Sequence, residues 1–182
     1  ARKMGVSTPL ERDPTIALGS NGVKPIELAT AYGVLANGGI KVKPYGIERI
    51  ETSNGRIVYQ ANNSYERVLS IKTVAYMVEM LKQVVKHGTG RASNIGRPSA
   101  GKTGTTDSYR DAWFVGFTPD IVTSVWVGKD NNTPTNKLTG GSLPAVIWRD
   151  YMKMATYNKP VIDFMYPEII VDTKYKPGIP ED

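Results

Sequence analysis

A chain of 182 residues is long enough for one domain with a sizeable core, or for a large piece of a bigger one. Its 23 basic and 17 acidic residues leave a formal net charge of +6, but Lys and Arg are scattered among acids, so nucleic acid is not an expected partner. The absence of cysteine excludes disulfides and thiolate metal sites, the single His87 rules out a His-rich centre, and no apolar run approaches the ~20 residues of a membrane span.

No metal or cofactor is expected, and no signal-peptide pattern opens the chain. The opening ARKMGVSTPL reads like the middle of a longer polypeptide, so the sequence is expected to be a fragment. A helix is expected from Pro25-Ile26-Glu27, where proline suits the first turn. It should stop near Asn37-Gly38-Gly39, where glycine accepts the left-handed conformation. GIERIETSNGRIVYQA then reads as a hairpin with Asn54-Gly55 at its turn. A second helix starts at Ser70, a good N-cap, and carries Val74, Met77, Val78, Leu81, Val84 and Val85 at helical spacing up to Gly88. His87 belongs to the end of that helix, where the dipole favours it.

Three strand-like runs follow, SAGKTGTT, DAWFVGF and IVTSVWVGKD, with Thr118-Pro119-Asp120 as the turn between the last two. Strands in immediate succession imply an antiparallel meander, and a third helix after Ser142-Leu143-Pro144 could cover one face. The expected class is α+β. Trp113, Phe114, Trp126 and Trp148 read as core or sheet cover, while Tyr32 and Tyr109 could touch a ligand. Asp107, Arg110 and Asp111 follow the K-T-G strand, where their charge could guide substrate, but they read rather as solvated turn residues. From residue 157 the proline-rich tail, with Pro160, Pro167, Pro177 and Pro180, reads as a linker or strap, which leaves 1–156 as the domain.

Residues 96 to 106, GRPSAGKTGTT, satisfy the phosphate-loop pattern G-x-x-x-x-G-K-[ST] and also contain K-T-G. A phosphate loop needs a buried strand before it and a helix that begins at the lysine. Neither is expected, because HGTGRASNIGRPS has one bulky apolar residue, Ile95, and Thr103-Gly104-Thr105-Thr106 is a poor helix former. Nucleotide binding therefore stands as a remote alternative. As a strand, Ala100 to Thr106 would project Thr103 and Thr105 on one face and Lys102 on the other. Two hydroxyls beside an ammonium suit a carboxylate, Gly104 permits a close backbone approach, and an edge strand can pair with an extended peptide.

AGKTGTTDSYRDAWFVGFTPDIVTSVWVGKDN resembles the C-terminal part of the transpeptidase domain of class A bifunctional penicillin-binding proteins. VKPIELATAYGVLANGG and VVKHGTGRAS resemble the segments that precede that motif, in the same order, and the likeness spans roughly residues 4 to 156. It implies a penicillin-binding and serine β-lactamase-like fold, with the K-T-G strand at the edge of an antiparallel sheet packed with helices. It also implies peptidoglycan cross-linking by a serine D-Ala-D-Ala transpeptidase or carboxypeptidase on the periplasmic or extracellular face of the cytoplasmic membrane. The full-length protein would be anchored and carry a glycosyltransferase.

By the same resemblance Lys102 supports the catalytic serine electrostatically. Thr103, Gly104 and Thr105 form the substrate-binding wall: the two threonines bind the terminal carboxylate of a stem peptide or β-lactam, and the Thr105 N–H contributes to the oxyanion hole. The family also uses a nucleophilic S-x-x-K and an S-x-N element. Ser70-Ile71-Lys72 has the wrong spacing, and Ser20 and Ser93 are followed directly by Asn. The chain is therefore expected to lack both elements, to be inactive alone, and to need the N-terminal half of the same domain as its partner. A non-catalytic module that binds wall peptides is the alternative.

Overall fold

The computed structural model describes residues 1–11, 13–62 and 64–165. Two short 3-10 turns, Arg2–Met4 and Pro14–Leu18, precede helix α1 (Pro25–Ala36). Pro25 opens α1, where its missing N–H removes a donor that would have no helical partner. The helix stops where the glycines require it. Gly38 and Gly39 take φ of 63° and 92°, and the Gly39 N–H returns to Val34 O at 2.7 Å. A Cβ on Gly39 would lie 2.3 Å from Leu69 O, so a close chain crossing also needs glycine here.

Strand β1 (Ile40–Val42) pairs antiparallel with β4 (Tyr65–Arg67), and the hairpin of β2 (Arg49–Glu51) and β3 (Ile57–Gln60) lies between them in sequence. The expected turn is present: Gly55 has φ of 82° and its N–H bonds Thr52 O at 2.9 Å. A register shift between Ile50 and Glu51 bends the ribbon. Every residue of β2 and β3 is exposed, so this hairpin adds nothing to the core.

Helix α2 (Ile71–Lys86) begins as expected, with Ser70 Oγ accepting from Thr73 N at 3.1 Å. Its buried stripe, Val74, Val78, Leu81 and Val85, faces the main sheet. That sheet is the expected meander, β5 (Ala100–Thr105), β6 (Asp111–Phe117) and β7 (Val122–Gly128), in the order β5-β6-β7. Helix α3 (Leu143–Ala155) follows.

Alternation along the strands divides the core in two. Ala100 and Phe117 pack with Leu35 of α1 and with Val74, Val78 and Leu81 of α2. Phe114, three positions back along β6 and so on the other face, packs with Val85, Ala145, Trp148 and Met152. Trp148 is fully buried, meets Phe114 edge-on at 5.3 Å, and donates its indole N–H to Gly116 O and Thr123 O at 3.2 Å each. A Cβ on Gly116 would lie 2.9 Å from that indole. The chain is thus α+β, with helices packed on an antiparallel sheet.

Residues 157–165, where the tail was expected to begin, stay against this body. The Arg97 guanidinium donates to Thr156 O, Lys159 O and Pro160 O at 3.1, 2.9 and 2.9 Å, and Phe164 meets Phe117 edge-on at 5.6 Å. The remainder of the expected tail, 166–182, lies outside the described residues.

The N-terminal stretch is tied down by one carboxylate. Glu27 accepts from Ser7 N, Ser7 Oγ, Thr8 N and Thr8 Oγ1 at 3.2, 2.5, 3.1 and 2.6 Å. The side-chain bonds from Ser7 and Thr8 hold its carboxyl well below the ordinary 4.5, at about 2. Because the folded value is depressed, the stability this anchor contributes is complete above about pH 4.5 and is lost as pH falls towards 2. The Ser7 and Thr8 amide shifts in the folded protein should accordingly titrate with a midpoint near 2, and Glu27→Gln should abolish that titration. A midpoint at the ordinary carboxylate value would contradict the anchor.

Candidate functional site

Strand β5 has β6 on one side and no strand on the other among the described residues. One hydrogen bond sets which backbone groups face that open side. The Thr106 N–H bonds Asp111 O at 3.0 Å, making 106 and 111 a hydrogen-bonded pair. Stepping back by two along the register, Gly104, Lys102 and Ala100 also turn their backbone groups to β6. Gly101, Thr103 and Thr105 therefore direct N–H and C=O outwards. The far side of β6 agrees, since the Thr118 N–H bonds Ile121 O at 2.9 Å, the alternate phase a central strand requires.

The Thr103 and Thr105 side chains share a face, as expected from their spacing, and two distant segments meet them there. Thr89, just beyond α2, places Oγ1 2.7 Å from Thr103 Oγ1. The Gly140 N–H, just before α3, donates to Thr105 Oγ1 at 3.0 Å. A Cβ on Gly140 would lie 2.2 Å from Trp113 O and 2.5 Å from Gly104 O. On Gly104 itself a Cβ would first meet Trp113 side-chain atoms, the nearest at 3.2 Å. Close backbone approach occurs at Gly104 as expected, and the missing Cβ that allows it is that of Gly140.

Lys102 starts from the opposite face, yet its stem reaches the open edge, where Nζ donates to Thr103 O at 2.9 Å. Among the described residues no carboxylate pairs with it, so its charge is available to an anion. The edge thus presents one ammonium, two hydroxyls and the outward N–H groups of Thr103 and Thr105. All of these favour negative charge or a peptide carbonyl.

Two letter patterns lose their geometry here. Lys102 lies inside a strand, whereas a phosphate loop needs a helix starting at its lysine. The expectation that no serine fits S-x-x-K needs a correction, because Ser99-Ala100-Gly101-Lys102 spells it. In a helix, positions three apart share a face. In an extended chain they point to opposite faces, and Ser99 is only 7% exposed. Ser99 immediately precedes a strand, so the helical turn that would set a serine and a lysine three apart on one face is missing here.

The remaining candidates resolve into structure. Tyr32 is largely buried, its ring edge-on to Phe117 at 6.2 Å, and burial pushes its hydroxyl pKa up. Asp111 Oδ1 accepts from Trp126 Nε1 at 2.8 Å, which fixes the indole across the sheet from Trp113. Tyr109 is exposed, with φ of 55°, and its carbonyl accepts from Thr135 N at 2.8 Å and Thr135 Oγ1 at 2.5 Å. That contact ties the segment before α3 to the β5–β6 turn. Among the described residues no group of three or more His, Cys, Asp or Glu could hold a metal ion, and no helix is long and apolar enough to cross a membrane.

Comparison with known proteins gives the family of the chain. Residues 9–153 match the family described as the penicillin-binding protein transpeptidase domain. Penicillin-binding protein 1A of Aquifex aeolicus is 46% identical over 155 residues, which cover 84% of this chain and 21% of that protein. The structure of PonA1 from Mycobacterium tuberculosis in complex with penicillin V is similar, with a TM-score of 0.79 at 26% identity, covering 91% of this chain and 50% of that one. Penicillin-binding protein 1A from Haemophilus influenzae gives a TM-score of 0.81 at 26% identity, covering 91% of this chain and 31% of that one. The chain spans between 21% and 27% of the length of the first curated relatives it matches.

Proposed function

The chain belongs to the penicillin-binding protein transpeptidase family, and on that premise we propose that it supplies the carboxylate-binding wall of a serine D,D-transpeptidase whose nucleophile lies outside these residues. The observation that carries this reading is the edge of β5. The ammonium of Lys102, both threonine hydroxyls and the outward backbone of Thr103 and Thr105 converge there, while the single S-x-x-K of the chain runs into a strand and not along a helix.

In this reading a stem peptide ending in D-Ala-D-Ala lies along the edge. Its terminal carboxylate accepts from Thr103 and Thr105 and is attracted by Lys102. A serine oxygen from the N-terminal half of the domain attacks the penultimate carbonyl, and the Thr105 N–H donates to the oxyanion that forms. The C–N bond breaks, terminal D-Ala leaves with a proton on its amine, and the acyl-enzyme remains. The amine of a neighbouring stem peptide then attacks, forms the cross-link and returns a proton to the serine. Penicillins enter as mimics of the D-Ala-D-Ala end. This chemistry belongs at the periplasmic or extracellular face of the cytoplasmic membrane, with the whole protein anchored there.

The test is covalent labelling of the full-length protein by a fluorescent penicillin. Stoichiometric label, blocked by prior treatment with unlabelled penicillin, is expected. An unlabelled protein that instead binds a D-Ala-D-Ala peptide reversibly would overturn the enzyme reading in favour of a binding module.

A further inference from the structure

The two threonine hydroxyls of the K-T-G strand are each engaged from behind, and the chemistry of those contacts decides which way their hydrogens point. A backbone N–H can only donate. The Gly140 N–H at 3.0 Å therefore makes Thr105 Oγ1 an acceptor, and the threonine's own hydrogen stays free for a ligand. For Thr103 the partner is a hydroxyl, Thr89 Oγ1 at 2.7 Å, and either oxygen can donate. Only one arrangement leaves the Thr103 hydrogen for a ligand: Thr89 donates and Thr103 accepts.

The backbone around Thr89 is shaped to hold that contact. The Gly88 N–H bonds Gln83 O and Val84 O, and the Gly90 N–H returns to Val84 O at 3.0 Å, so the chain folds back sharply after α2. A Cβ on Gly90 would lie 3.1 Å from the Phe114 ring, which lets this turn press against the sheet. Gly141 closes the other side, since a Cβ there would lie 2.3 Å from Thr89 O. Thr89, Gly140 and Gly141 thus form one bracket over the Thr103 and Thr105 face, assembled from segments on either side of the sheet in sequence.

We infer that Thr89 and the Gly140 N–H are positioning groups that fix the Thr103 and Thr105 hydroxyls as donors to the substrate carboxylate. This rests on the transpeptidase reading above and assigns Thr89 no contact with substrate. Removing the Thr89 donor leaves Thr103 free to turn its hydrogen inwards or elsewhere. The loss is then felt only by ligands that present a carboxylate at that point.

The experiment compares two probes on the full-length protein, benzylpenicillin and its methyl ester, whose carboxylate is masked. Thr89→Val keeps the shape and removes the donor. It should slow acylation by benzylpenicillin by about tenfold to a hundredfold, the size of a hydrogen bond to a charged group, and leave acylation by the ester at the wild-type rate. Thr89→Ser should restore the benzylpenicillin rate. If Thr89→Val does not fold, Thr89→Ala gives the same two-probe ratio. Equal slowing with both probes, or no slowing with either, overturns the inference while the transpeptidase reading stands. A wild-type protein that benzylpenicillin does not acylate overturns both.

Discussion

Replacing Lys102 by methionine should lower the acylation rate of the full-length protein by penicillin by about a hundredfold to a thousandfold, the effect typical of removing one preorganised group from developing charge. Lys102 is exposed, its one side-chain hydrogen bond goes to Thr103 O, and no carboxylate among the described residues neutralises it. Methionine keeps most of the apolar stem, so the strand and its pairing with Val115 are retained. The thermal midpoint should therefore stay where it is while the rate falls. A variant that acylates at the wild-type rate would remove Lys102 from the site. One that merely melts earlier would make it a structural residue.

Trp148→Ala should have the largest effect on stability, about 3–5 kcal/mol. The indole is fully buried at the centre of the second core half, against Phe114, Ala145 and Met152, with Val85 in the same cluster. Its removal opens a cavity beneath Gly116, whose missing Cβ exists to admit the ring. It also deletes the N–H that bonds the Gly116 and Thr123 carbonyls, although those carbonyls keep their ladder partners across β6 and β7. A domain stable by about 5–15 kcal/mol would lose a large share of that margin, readable as a fall in the denaturant midpoint. Trp148→Phe should cost less, because it retains the apolar contact with Phe114. Since only the N-cap Ser142 separates α3 from Gly140 and Gly141, loosening its anchor also loosens the bracket over Thr105.

Local signals made much of this fold legible. Ser70 as an N-cap, Pro25 at a first turn, Asn54-Gly55 in a hairpin and the β-branched run of GKTGTT each act within a few residues, and each appears where the letters put it. Strands β1 and β4 were not legible, because each has three residues and they pair only with each other across the intervening hairpin. The K-T-G edge could be read for the same local reason, since period-two alternation alone puts Thr103 and Thr105 on one face. Its supports could not. Thr89 reaches Thr103 across 14 positions, Gly140 reaches Thr105 across 35, and no short-range pattern marks either contact. Gly140 leaves only a retrospective trace, a Gly-Gly pair before a helix where one glycine would suffice for a turn. Ser99 shows the converse error: S-x-x-K is a statement about one face of a helix, and here the same letters run into a strand.

If this chain carries one wall of an active site, another segment supplies the nucleophile. Digestion of the penicillin-labelled full-length protein and mass mapping of the adduct would locate it. A single acylated serine outside the 182 residues is expected, with label lost when that serine is replaced and strongly reduced by Lys102→Met. An adduct on a serine within this chain, Ser99 above all, would contradict it.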